Sequence, residues 1–331
     1  MNNAIETINL KKCFHLPKKG KKERIEAVRG ITLSIKRGEI FGFLGPNGAG
    51  KTTTLRLLTT LLPIDEGEAW VAGLDVNKQP QELRLHIGYV SQLGGADLSS
   101  TGLENLMLAG RLYGLNREET EKRSDELIQI FDLGELVNRM VKTYSGGQKR
   151  RLEVALGIIH QPEVLFLDEP TIGLDPQNRA NLWDQIRKLR DNSTTVFLTT
   201  HYLEEADKLA DRLAIIDHGE IVAEGTPREL KQQIAGDVIT IKTRNDGAEI
   251  QEIQQYLNSR PFVHETLVEG DVLHLYVEDG AKMLPKVIEV LEAMNVALDT
   301  VSLSQPSLDD VFLIQTGRSL RDTGSNQEER Q

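Results

Sequence analysis

Residues 45–52 read GPNGAGKT, a glycine-rich stretch ending in a lysine and a hydroxyl. That composition suits phosphate: without Cβ atoms the glycines let backbone N–H groups turn inward around an anion, and a helix starting here points its positive end at it. Lys51 then reaches the outer phosphates of a nucleoside triphosphate, and Thr52 is a ligand for Mg2+. Gly45, Pro46, Asn47, Gly48, Ala49, Gly50, Lys51, Thr52 and Thr53 are the expected ATP-binding residues of this loop. A second cluster, VLFLDE at 164–169, ends an apolar run on two carboxylates. Asp168 suits the holding of Mg2+ and its waters, and Glu169 suits a general base that orients an attacking water. Alone, such a pair reads as a solvated turn; the loop upstream gives it meaning. A third stretch, YSGGQ at 144–148, also has the makings of a phosphate reader. Ser145 is a helix-capping hydroxyl, Gly146 and Gly147 permit close backbone approach, and the helix that follows aims its positive end outward. Alone it is a plain N-cap. The chain therefore carries two phosphate-reading loops, each once.

Elements must place these groups. The apolar run EIFGFLG (39–45) stops at the glycine-rich turn, as a buried parallel strand feeding a helix would. Short β-rich runs surround it near 8–10, 31–35, 68–72 and 86–91, and a helical stripe carries Leu55, Leu58 and Leu62. From about 101 to 160 the period becomes helical, with stripes at Leu103, Leu106, Met107; at Leu127, Ile130, Phe131; and at Leu152, Ala155, Leu156, Ile159. Alternation of strand and helix then resumes through VLFLDE, 177–191, TTVFLTT, 203–210 and RLAIID, which implies a parallel sheet. After about 236 the pattern becomes β-α-β-β-α-β, the split βαβ arrangement of ferredoxin-like folds. Ser307 and Asp310 make a capping box for a last short helix. The expected organisation is an α/β nucleotide-binding domain over 1–235 with a helical subdomain at about 101–160. A small α+β ferredoxin-like domain at 236–318 and a disordered polar tail at 319–331 complete it.

GPNGAGKTT, Gln92, YSGGQ, LFLDEP, GLD at 173–175 and His201 stand in the order of the ATP-binding-cassette (ABC) ATPases, which the chain resembles over roughly 4–235. The resemblance implies a P-loop fold and a head-to-tail dimer, in which the SGGQ loop of one subunit caps the γ-phosphate held by the other. It implies that Gln92 contacts Mg2+ and the attacking water, that Asp175 communicates across the dimer, and that His201 holds the γ-phosphate. It further implies that Ser145, Gly146, Gly147 and Gln148 bind ATP and that Phe14 stacks on adenine. Tyr144 stands where the family usually has leucine, outside the phosphate contacts. Ile172 replaces a small polar residue, which removes a cross-dimer hydroxyl. Between Phe14 and Ala27 the segment HLPKKGKKERIE is longer and more basic than a hairpin turn. Its Lys18, Lys19, Lys21, Lys22 and Arg24 suit either a solvated loop or contact with anionic lipid.

Composition narrows the class. With 331 residues, 39 Lys+Arg, 50 Asp+Glu and a net charge of −11, the chain is long enough for two domains and too acidic to have nucleic acid as its main ligand. Cys13 is the one cysteine, so no intrachain disulfide forms and a reducing compartment is expected. No apolar run reaches the ~18–20 residues that cross a bilayer. The resemblance narrows to a separate ATPase subunit of the daunorubicin-resistance exporter type, through TGLEN (101–105), TIGLDPQ and SQPSLDDVF near the C-terminus. The expected partners are a second such subunit, identical or similar, and an integral-membrane permease; the expected location is the cytoplasmic face of the membrane. The alternative is a soluble ABC ATPase acting on a cytosolic partner. The C-terminal domain, with His264 and His274 as packing or surface groups, is expected to stabilise or regulate the dimer.

Overall fold

A computed structural model describes residues 3–18, 21–234, 236–243, 247–294, 296 and 298–320. The chain opens with strands β1 (Asn3–Lys18) and β2 (Lys21–Lys36), then β3 (Ile40–Leu44) and helix α1 (Lys51–Leu58). Next come β4 (Glu66–Val71), β5 (Leu74–Asp75), α2 (Pro80–His86) and β6 (Ile87–Val90). The helical part holds α3 (Gly102–Leu112), α4 (Arg117–Ile130) and α5 (Gly146–Gly157). Then follow β7 (Val164–Asp168), α6 (Pro176–Asp191), β8 (Thr195–Thr200), α7 (Leu203–Leu209), β9 (Arg212–Asp217), β10 (Glu220–Gly225) and α8 (Pro227–Gln232). The remainder is β11 (Asp237–Thr243), α9 (Gly247–Asn258), β12 (Val263–Glu269), β13 (Val272–Val277), α10 (Gly280–Ala293), β14 (Leu298–Ser304) and α11 (Leu308–Thr316).

The six-stranded sheet has the order β10-β9-β3-β8-β7-β6, and its β3, β6, β7, β8 and β9 pair in parallel. Every residue of β3, β7 and β8 is buried, which is why these strands read as continuous apolar runs and not as alternations. Phe41, Phe43 and Phe166 gather around Phe197, with ring centroids 5.9, 5.5 and 5.7 Å from it. Side chains cap the helix starts, at Ser145 as expected from sequence and at two further positions. Thr101 with Glu104, Asn116 with Glu119, and Ser145 with Gln148 each form a capping box, satisfying N–H groups that the first turn leaves without partners. Helix α1 ends at Leu58, so Leu62, expected on its stripe, lies beyond it.

The segment expected as a basic loop is a continuation of the β1–β2 ladder, with Phe14 opposite Ile25, His15 opposite Arg24 and Lys18 opposite Lys21. Arg24, Ile25 and Glu26 are exposed. A ribbon with solvent on its faces needs no apolar alternation, so its sequence carried no strand signal. Lys19 and Gly20 lie outside the described residues. The same N-terminal sheet has the order β2-β1-β4-β5.

The chain divides into two compact units at 221/222, earlier than the 235/236 expected from sequence. Helix α8 packs on α11 and belongs with the second unit; its short length hid it among polar residues. In that unit the sheet is antiparallel with order β12-β13-β11-β14. Helices α9 and α10 cover one face through Ile250, Ile253, Leu257, Val287 and Leu291. The Ser307–Asp310 box caps α11. Ser319 and Leu320, expected in a disordered tail, are buried and tied by their backbone N–H groups to Glu269 and Asp309; residues 321–331 lie outside the described residues.

Candidate active site

Four loops leave the carboxyl ends of four adjacent parallel strands. Gly45 follows β3, Gln92 follows β6 by a single residue, Glu169 follows β7 and His201 follows β8. The register aligns them: Leu44 pairs with Thr200, Asp168 with Thr199, and Val90 with Leu167. Ligands in open α/β sheets collect at such strand ends. A cleft of about 330 Å³ lies there, walled by Asn47, Gly48, Gly50, Lys51, Thr52, Thr53, Gln92 and Glu169, together with Ala27.

Gly50 has a φ of 106°, and a Cβ there would meet the Ala27 carbonyl oxygen at 2.4 Å. No other residue suits both constraints. The Lys51 Nζ donates to the Gly45 and Pro46 carbonyls at 2.7 and 3.1 Å and lies 3.3 Å from Glu169 Oε1. Burial pushes its ammonium below the usual lysine range, against the pull of Glu169 and Asp168. The Thr52 hydroxyl donates to Asp168 Oδ1 at 3.1 Å, and Thr199 donates to the same oxygen at 2.7 Å.

Glu169 has a φ of 46°, an uncommon left-handed backbone for a non-glycine residue. Its N–H, held by the Thr199 carbonyl and hydroxyl at 3.1 Å each, fixes that conformation. The carboxylate lies 3.4 Å from Gln92 Nε2 and 3.2 Å from His201 Nδ1. Burial opposes its ionisation, but His201 and Lys51 outweigh burial and hold it below the usual carboxylate range. A carboxylate kept ionised beside a cation and a histidine, in reach of a glutamine amide, can orient and deprotonate a water.

The SGGQ residues stand apart: none of Ser145, Gly146, Gly147 or Gln148 walls the cleft. Ser145 accepts from the Gln148 N–H at 3.3 Å. A Cβ on Gly147 would meet the Asn178 side chain at 2.6 Å, whereas one on Gly146 would meet nothing within 4 Å. Asp175 caps α6, accepting from the Asn178 N–H at 3.0 Å. The Tyr144 hydroxyl donates to the Leu136 carbonyl at 2.6 Å. Phe14 sits in β1 under Lys12, whose Nζ is 5.8 Å from the ring centroid, and it is not part of the cleft wall. Sequence reasoning missed Ala27, Thr199 and Arg150. A threonine in TTVFLTT or an arginine in a basic triplet carries no mark of its partners.

Residues 28–172 match the family described as ABC transporter, and 225–316 match the DrrA1-3-like C-terminal domain of ATP-binding proteins. The daunorubicin/doxorubicin resistance ATP-binding protein DrrA of Streptomyces peucetius is 41% identical over 98% of this chain and 96% of its own length. The chain belongs to the ABC transporter ATP-binding family. A Nod factor export ATP-binding protein I from Cupriavidus pinatubonensis is 37% identical over 89% of this chain and 87% of that relative. The dimeric post-hydrolysis cassette MJ0796, bound to ADP and Pi, superposes with a TM-score of 0.61 and 27% identity. It covers 67% of this chain and 98% of its own. This ABC protein is thus a transport-coupled ATPase, the ATP-binding subunit of an export system. The relatives favour that reading over a soluble ATPase with a cytosolic partner.

Proposed function

We propose that two copies of this chain, or one copy and a similar subunit, close head to tail on two ATP molecules and drive a separate membrane permease in export. One observation carries this: the chain holds two phosphate-reading elements, and the SGGQ one is absent from the wall of its own cleft. Each cleft needs the α5 N-terminus of a partner to enclose the γ-phosphate.

Within each site the P-loop amides, from Gly45 to Thr53, hold the phosphates, and Lys51 meets the β/γ oxygens. Thr52, Gln92 and Asp168 offer hydroxyl, amide and carboxylate oxygens. These are hard donors that fit Mg2+, which prefers one or two carboxylates plus phosphate oxygens and water. No group of three or more His, Cys, Asp or Glu side chains forms a metal cage among the described residues, in keeping with that mode. Mg2+ held by these residues would neutralise charge on the transferring phosphoryl group. Glu169 takes the proton of the water that attacks the γ-phosphorus, Gln92 orients that water, and His201 faces the γ-phosphate. Ser145, Gly146, Gly147 and Gln148 cap it from the partner, with Asp175 near the seam and Phe14 as the adenine-stacking aromatic.

The permease docks beside Gln92. A groove of about 330 Å³ between the loop after β6 and helix α3 is lined by Ser91, Gly94, Leu108, Leu112 and Glu153. Leu93 beside it is 92% exposed and Leu112 76%, apolar surface that calls for a partner. No described helix is long and apolar enough to cross a membrane, so attachment to the cytoplasmic face runs through that partner. The exported compound is a drug, lipid or polysaccharide chosen by the permease, and the second unit supports or regulates the pair.

Glu169→Gln tests the composite site. It keeps the size of the side chain but removes the base, so Mg-ATP should trap a dimer of twice the mass by light scattering, with hydrolysis abolished. A variant that stays monomeric at saturating Mg-ATP overturns the head-to-tail reading.

A further inference from the structure

Arg150, in the second turn of α5, is 6% exposed. Its Nε donates to the Pro170 carbonyl at 2.8 Å and its Nη2 to the Asp168 carbonyl at 3.1 Å. Its Nη1 donates to the Ser91 carbonyl at 2.7 Å and to Glu153 Oε2 at 3.1 Å. Asp168 and Pro170 flank Glu169 on either side, and Ser91 immediately precedes Gln92. One planar fork therefore grips the backbone on both sides of the catalytic carboxylate and just before the glutamine that faces it. A guanidinium donates in several fixed directions at once, which an ammonium cannot.

Glu153 is the anchor. It is 7% exposed and takes Arg150 on one oxygen, with Lys149 Nζ 3.7 Å from the other. The backbone of Gly94 lies directly on it: a Cβ there would meet Glu153 Oε1 at 1.9 Å. The loop carrying Gln92 is thus pinned twice to α5, through Ser91 and through Gly94. None of these bonds goes to residues 45–53, so ATP is held by other groups.

We propose that Arg150, anchored by Glu153, is a positioning residue for hydrolysis that sets Gln92 against Glu169. The 3.4 Å between Gln92 Nε2 and Glu169 Oε2 is the separation it controls. It lies outside the cleft wall and acts through the loops that carry Gln92 and Glu169.

Hydrolysis by the full chain is measured for Arg150→Gln, Gln92→Ala and the double variant. In Arg150→Gln, kcat falls by on the order of 10²-fold, as ångström-scale misplacement of catalytic groups does. KM for ATP stays within about twofold, because the P-loop is untouched. Gln92→Ala then costs far less in the Arg150→Gln background than in the parent, since coupled sites are non-additive. An unchanged kcat, a loss confined to KM, or two losses that simply multiply would each overturn the proposal. Should Arg150→Gln fail to fold, Arg150→Lys retains a cation for Glu153 but cannot span three carbonyls. The same fall in kcat at constant KM is expected of it, and wild-type turnover there sinks the idea.

Discussion

Two adjacent glycines of the SGGQ stretch face different constraints. Gly147 is required by its own chain, since Asn178 occupies the place of a Cβ, and Gly147→Ala should destabilise the fold by about 1–3 kcal/mol through overpacking. Gly146 has open space around it. Gly146→Ala should leave stability within about 0.5 kcal/mol of the parent by urea denaturation, yet abolish dimer formation on Mg-ATP when made in the Glu169→Gln background. Retained dimers in that double variant would mean that nothing approaches Gly146 from outside. Glu169 is the other position where backbone and chemistry meet. Its left-handed φ is held by Thr199, which also donates to Asp168, so one threonine on β8 orients both carboxylates at the end of β7.

At the scale of elements, helices α6 and α7 are joined by a buried acid. The Trp183 Nε1 of α6 donates to Glu205 Oε1 of α7 at 3.0 Å, and Glu205 is fully buried. Burial pushes its carboxyl above the usual glutamate range, against Thr200, Trp183 and Thr171, which favour the ion. The sign follows from linkage. A raised folded pKa means the unfolded chain ionises first, so this burial costs stability above the unfolded value of 4.5 and costs nothing well below it. Glu205→Gln keeps an acceptor for Trp183 and should be more stable than the parent at pH 7. That gain should shrink as the pH falls below 4.5. Urea titrations at pH 7 and pH 4 check it; an equal gain at both would mean that burial does not raise the Glu205 carboxyl. The tie joins α6, which Asp175 caps, to α7, which begins two residues after His201.

At the scale of the whole molecule, the chain presents separate surfaces for separate partners. In the function proposed above, ATP takes the ends of β3, β6, β7 and β8, a second subunit the α5 N-terminus, and a permease the groove beside Leu93 and Leu112. Leu93→Ser with Leu112→Ser exposes no core, so the melting temperature should stay within about 2 °C of the parent. Co-purification with its permease from detergent extracts should be lost. Unchanged co-purification would place the docking surface elsewhere.

The residues proposed to meet ATP were legible because their chemistry needs rare local composition. Glycines before a lysine, paired acids after an apolar run and a capped Ser-Gly-Gly are each visible within ten residues. The strands that carry them were legible for a related reason, since full burial on both faces demands unbroken apolar runs. The tertiary structure alone decided what stands behind those residues. Arg150 and Arg151 are neighbours in one basic triplet, yet Arg150 grips the Asp168, Pro170 and Ser91 carbonyls while Arg151 reaches the Phe131 and Asp132 carbonyls. Thr199 and Glu205 gain their roles from partners 31 and 22 residues away. The β1–β2 ribbon escaped for another reason, its solvent-facing residues at 24–26 needing no apolar alternation, and Ser319 and Leu320 because their partners are the side chains of Glu269 and Asp309. Hydrogen bonds to distant backbone leave no periodicity and no composition bias; they exist only once the parallel register brings those loops to one end of the sheet.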